Sequence, residues 1–138
     1  MTLRTYAGPG LLRIIATGEF SLEEAKKTFL EMLDAVAQHK TEKVLFDGRE
    51  LKGGPDTIQR FLYGEFAAHA VGRCIRERGI PNTPQFAYVL QEPVLDPQRF
   101  GEAVAVNRGM WVKAFDNLDD ALGWLGVTQA TKPDPGMA

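Results

Sequence analysis

With one cysteine, two histidines and a single serine, this 138-residue chain has few of the side chains on which catalysis usually rests. Cys74 has no second cysteine for an internal disulfide, which suits a reducing compartment and leads us to expect a cytoplasmic protein. Long apolar runs are missing too. None approaches the roughly 20 residues that cross a bilayer, and the opening "MTLRTYAGPG" breaks at Gly8-Pro9-Gly10 with no apolar h-region, so neither a membrane span nor a signal peptide is expected. Charge of one sign is also in short supply. A net charge of −2 leaves no electrostatic footprint for nucleic acid or for an acidic membrane.

The same scarcity narrows the chemistry. His39 and His69 fall on different predicted helices and outside any ligand-spaced Cys/His cluster, so no metal is expected. Ser21 reads as a helix cap, no G-x-S-x-G elbow is present, and Cys74 lies on an apolar stripe where a free thiol behaves as a small hydrophobe. An acid/base enzyme would have to use Asp47, Glu65 or His69, and no base–nucleophile pair can be assembled around them. The chain therefore reads as a non-enzyme.

What is present is an ordinary globular composition, 44% hydrophobic and 25% charged, in a length that fits one domain. We place that domain at residues 1–126 and expect the apolar-poor tail, 127–138, to be disordered. Residues 3–6 and 11–17 read as strands around the Gly-Pro-Gly turn. A helix follows over 21–40, opened by the capping box Ser21-x-x-Glu24, with Leu22, Ala25, Phe29, Leu33 and Val36 on its inner face. "KVLFD" (43–47) is a short strand covered on both faces. From Pro55 to about Gly79 the periodicity is helical, with Ile58, Leu62, Phe66, Ala70 and Cys74 as the inward stripe and Gly64 or Gly72 as candidate bends. Strand 85–91, a helix from Asp96-Pro97 with Phe100 and Val104 inward, strand 110–115 and a closing helix between Asn117 and Gly126 complete the order ββαβαβαβα. That order predicts an α/β fold: a four- to five-stranded mixed sheet with helices packed on it.

The candidate site lies where "KVLFDGRELKGGPDTIQRF" (43–61) turns from strand to helix. Ligands of open α/β sheets favour the crevice outside the carboxyl ends of the strands. Asp47, Arg49 and Glu50 follow such an end, Asp56, Thr57 and Arg60 begin the next helix, and Tyr63, Glu65 and His69 extend along it. The competing reading is structural: Asp47 caps backbone donors in the turn, while Arg49 pairs with Glu50 or Glu65 in solvent. "GRELKGGPDT" also lacks the P-loop pattern, so its Gly-Gly reads as a turn and not as a phosphate cradle.

Three stretches carry a family resemblance. "LLRIIATGEFSLEEAKKTFLEML", "KVLFDGREL" and "VKAFDNLDDALGWLG" together resemble the SpoIIAA-like family of the STAS (sulfate transporter and anti-sigma antagonist) fold, over about residues 3–126. The resemblance implies a four- or five-stranded sheet, no enzymatic chemistry, no cofactor and a protein partner. It also implies a phosphoacceptor at the start of the helix after the central strand, for which Thr57 is the nearest counterpart. Here Ile58 replaces the second serine of the D-S-S-G-L-G pattern and the G-L-G is missing, which places the chain nearer the family's stand-alone branch.

The first expectation is thus a regulatory module binding a protein near residues 47–69, with partner capture responding to phosphomimetic or charge-reversal changes at Thr57 or Arg60. The alternative is a small apolar-ligand or nucleotide carrier with Phe61, Phe66 and Trp111 lining a cavity between helix and sheet. Self-association is also expected if Phe61, Tyr63 and Phe66 form an exposed patch.

Overall fold

A computed structural model describes residues 1–127; the predicted tail lies outside the described residues but for Val127. Strands β1 (Thr2–Gly8) and β2 (Leu11–Glu19) form a hairpin about the Gly-Pro-Gly turn. Then come α1 (Leu22–His39), β3 (Lys43–Lys52), α2 (Thr57–Arg78), β4 (Gln85–Val89), α3 (Phe100–Asn107), β5 (Trp111–Phe115) and α4 (Leu118–Leu125). The strands lie in sequence order, β1-β2-β3-β4-β5. Only the β1–β2 pair is antiparallel, so the sheet is mixed as predicted.

Strand parity divides the interior. Leu12, Ile14, Ala16, Val44, Phe46, Phe86 and Tyr88 face the layer of α1 and α2, where Phe29, Met32, Val36, Ala67, Val71 and Cys74 meet them. Leu11, Leu45, Ala87 and Val89 face the other way, against Ala121, Leu122 and Leu125 of α4. Helix α3 packs on α2 and β5 and contributes Ala105 to the larger core.

Helix α1 matches its predicted face, with Ala25, Phe29, Leu33 and Val36 buried and Ser21 accepting the Glu24 amide at 3.2 Å. Helix α2 does not. Its buried residues are Gly64, Ala67, Ala68, Ala70, Val71 and Cys74, whereas Ile58 is 70% exposed and Leu62 36%. The predicted stripe is therefore corrected at its start: Ile58 and Leu62 face outward, whereas Ala70 and Cys74 are buried and Phe66 is half-buried against the core. Mainly small residues face the core, because α2 is pressed between the sheet and α3. Gly64 makes that approach, since a Cβ there would stand 2.6 Å from the Gly101 carbonyl oxygen. The helix runs unbroken through both Gly64 and Gly72.

Strand β3 also departs from its predicted end. It passes Asp47 and continues to Lys52, paired with β2 alone; the β4 pairing stops at Asp47–Val89. One extra β3 residue lies between the Ile15–Asp47 and Thr17–Glu50 pairs, a bulge that shifts the register by one residue. The third helix begins at Phe100, not at Pro97. Asp96 accepts the Gln98 and Phe100 amides at 3.1 and 2.9 Å, but Arg99 in the left-handed region holds the chain in a turn, and Phe100 stays 38% exposed while Val104 is buried.

Candidate functional site

The predicted site residues separate into three groups. Asp47 belongs to a buried charge cluster. Its parity puts the carboxylate on the sheet face opposite Phe46. Arg49 donates to it twice, Nε at 2.9 Å and Nη2 at 2.8 Å, and Arg13 Nη2 approaches from β2 at 3.3 Å. The Arg49 amide donates to Oδ1 at 3.3 Å. Burial alone would raise this carboxyl; the hydrogen bonds from Arg49, with the charges of Arg49 and Arg13, outweigh it and bring the group below the usual carboxylate range. Arg49 is thus paired with Asp47, and not with Glu50 or Glu65. Glu50 is exposed, and Glu65 instead meets Arg108 at 3.5 Å.

The second group opens α2. Asp56 is the N-cap: its Oδ1 accepts the Gln59 amide at 2.8 Å, and Gln59 Oε1 accepts the Asp56 amide at 3.0 Å. Thr57, the first helical residue, is exposed. Outward from it run Ile58 and Leu62 at four-residue spacing; Phe66, one turn further, is half-buried against the core, with Glu65 and the exposed His69 beside it. Cations flank this strip. Lys26 lies 5.5 Å from the Phe66 ring centre, and the Arg108 guanidinium 5.3 Å from that of Phe61. Arg60 plays another part: its two terminal nitrogens donate to the Val94 and Pro93 carbonyls, each at 2.8 Å, and fasten the loop after β4.

The third group surrounds a cavity of about 130 Å³ between the sheet and the α1–α2–α3 layer. Phe46, Tyr63, Ala67, Tyr88, Leu90 and Val112 line much of it. The lining proposed from sequence is corrected. Trp111 is 51% exposed and stands near Trp124, while Phe61 and Phe66 sit under their cations. Tyr63, expected in an exposed patch, instead points inward. Its hydroxyl lies 2.8 Å from that of Tyr88, and Tyr88 stacks on Phe46, its register partner, at 4.5 Å. Burial pushes the Tyr63 phenol up to about 12 against the lowering effect of its hydrogen bond, and raises Tyr88 further.

Tyr88 and Arg13 escaped notice in the sequence, yet each carries a signal. A tyrosine amid the apolar "QFAYVLQ" needs a buried partner for its hydroxyl, and an arginine inside "LLRIIAT" needs a buried counter-charge. Among the described residues, no group of three or more His, Cys, Asp or Glu side chains could hold a metal, and no helix is long and apolar enough to cross a membrane.

No family model matches the chain, and no curated protein matches it by sequence. Solved structures do. An anti-sigma factor antagonist from Mycobacterium paratuberculosis superposes with a TM-score of 0.56 at 14% identity, covering 91% of this chain and 93% of its own. The anti-sigma factor antagonist SpoIIAA in its unphosphorylated form gives 0.54 at 9% identity, covering 93% and 100%. The fold is the SpoIIAA/STAS fold. Both the element order and the mixed five-stranded sheet agree with it. Within this fold the positions singled out by resemblance fall at the start of α2, where Thr57 follows its capping Asp56.

Proposed function

We propose that this protein is a non-enzymatic regulatory module that binds a protein partner through the outer face of α2, around Thr57, Ile58 and Leu62. The observation that carries the reading is the exposure of Ile58, at 70%, on a helix whose core face is made of small residues. Apolar side chains held outward and rimmed by Lys26, Glu65, His69 and Arg108 suit a protein contact. The two similar structures are both anti-sigma factor antagonists, which supports a regulatory role acting by binding. Thr57 is the proposed switch. A phosphate there would add about two negative charges next to Ile58 and change what the strip can dock against. Arg60 is not a useful probe of this surface, because reversing its charge would strip the Pro93 and Val94 carbonyls of their donor.

Affinity capture from the native host tests this with wild type, Thr57→Glu and Ile58→Asp/Leu62→Asp as bait. The reading expects a defined partner, a second copy of this chain included, that the double variant loses and Thr57→Glu retains in altered amount. The same proteins captured by all three baits would overturn it.

A second reading, carriage of a small ligand, is favoured by one observation: the apolar cavity against Phe46 and Tyr88. It differs from the first in needing no surface contact.

A further inference from the structure

The cavity has a chemistry of its own. Its volume of about 130 Å³ is near that of an engineered apolar cavity, roughly 150 Å³, known to take up benzene. That size admits a single ring and excludes a nucleotide or a long acyl chain. The charged side chains that border it have their heads committed elsewhere. Arg60 donates to the Pro93 and Val94 carbonyls, Arg99 to those of Asp96 at 3.0 Å and Ala114 at 3.4 Å, and Glu102 accepts the Ala114 amide at 2.7 Å. The Met1 ammonium pairs with Glu24 at 3.0 Å, and the Asp96 carboxylate accepts the Gln98 and Phe100 amides. No charge is left to meet an ionic ligand, and burying one unmet is costly.

What remains is the pair of phenols. Two hydroxyls bring two protons, and their mutual bond at 2.8 Å uses one of them. The other has no acceptor among the described residues. Both phenols stay protonated across the physiological range, since burial raises each. We infer that the cavity binds a small, uncharged, single-ring molecule that offers one hydrogen-bond acceptor to the Tyr63–Tyr88 pair. This rests on the ligand-carriage reading and gives it a ligand class.

The test uses phenol, toluene and benzoate as probes at pH 7, titrated into the full chain and into Tyr63→Phe/Tyr88→Phe. Phenol and toluene differ by a hydroxyl for a methyl, so comparing their affinity ratio between the two proteins cancels the cost of drying the hydroxyl. The variant keeps both rings and removes both ends of the hydrogen bond, a change that is nearly neutral for folding. The expected result is that both neutral probes bind wild type, that benzoate binds at least tenfold more weakly, and that the phenol-to-toluene ratio falls about fivefold in the variant, as one neutral hydrogen bond predicts. An unchanged ratio with both probes bound overturns the assignment of the acceptor while leaving carriage intact. Failure of both probes to bind wild type overturns carriage as well, and benzoate binding as tightly as phenol overturns the neutral class. Wild type supplies an independent readout should the variant misfold: phenol moves the Cζ resonances of Tyr63 and Tyr88 more than toluene does, and equal shifts sink the inference.

Discussion

Arg13 and Asp47 occupy strand positions that their neighbours of the same parity, Leu11, Ile15 and Leu45, fill with hydrocarbon. Two buried ions are tolerated there because they neutralise each other and because Arg49 closes the carboxylate with a two-pronged grip. The cluster's contribution has a definite pH sign. The folded carboxyl sits below its ordinary 3.8, so its stabilisation is complete above that pH and is lost as pH falls through the lower folded value. Asp47→Asn removes the charge but keeps the shape and takes this carboxylate from Arg13, which has a side chain only 7% exposed. We expect a loss of about 3 kcal/mol at pH 7. Urea unfolding from pH 7 to pH 3 should also show the gap to wild type closing as acid neutralises Asp47. A constant gap would assign the loss to packing. Asp47 was visible in the sequence as the end of an apolar run. Which way its side chain pointed was not, because that depends on registry with β2 and on a bulge one residue wide.

Helix α2 decides most of what the molecule presents to its surroundings. Its period was legible, as were Asp56 and Gly79 at its ends, since caps and period are local properties. Its orientation was not. Apolar residues lie around much of its circumference, and periodicity cannot tell a face of Ile and Leu from a face of Gly and Ala when a second helix must come close. The two internal glycines separate these demands. Gly64→Ala drives a Cβ to 2.6 Å from the Gly101 carbonyl and should cost about 1–3 kcal/mol through forced separation of α2 and α3. At Gly72 the nearest atom to a new Cβ is the flexible end of Arg76 at 3.4 Å. Gly72→Ala should therefore stabilise by about 0.5–1 kcal/mol through helix propensity. Denaturant midpoints moving in opposite directions for the two variants would bear this out; parallel shifts would refute the packing account.

Across the whole molecule the layers are unequal. Three helices cover one face of the sheet and α4 alone covers the other, with the cavity on the thicker side. Element order was enough to reach this architecture, because right-handed crossovers between parallel strands leave few alternatives. The cavity lining was not within reach of sequence. Phe61, Phe66 and Trp111 are apolar enough to line a cavity, but Phe61 and Phe66 are half-buried under cations outside it and Trp111 is exposed beside an indole, while Tyr63 and Tyr88 turn inward to share a hydrogen bond. The same rotation of α2 that buries Tyr63 brings Ile58 and Leu62 outward.

On this view the outward strip is the working surface, and it can be altered without disturbing the core. Ile58 is 70% exposed, and the first turn of α2 holds no acidic residue, so Ile58→Asp places a carboxylate where the helix dipole favours one. The deciding measurement is the calorimetric Kd of the purified, captured partner for wild type and for Ile58→Asp, with melting temperatures taken alongside. A loss of affinity of tenfold or more at an unchanged or higher melting temperature is the predicted result. Equal affinities for the two proteins would contradict a protein-binding role for this face.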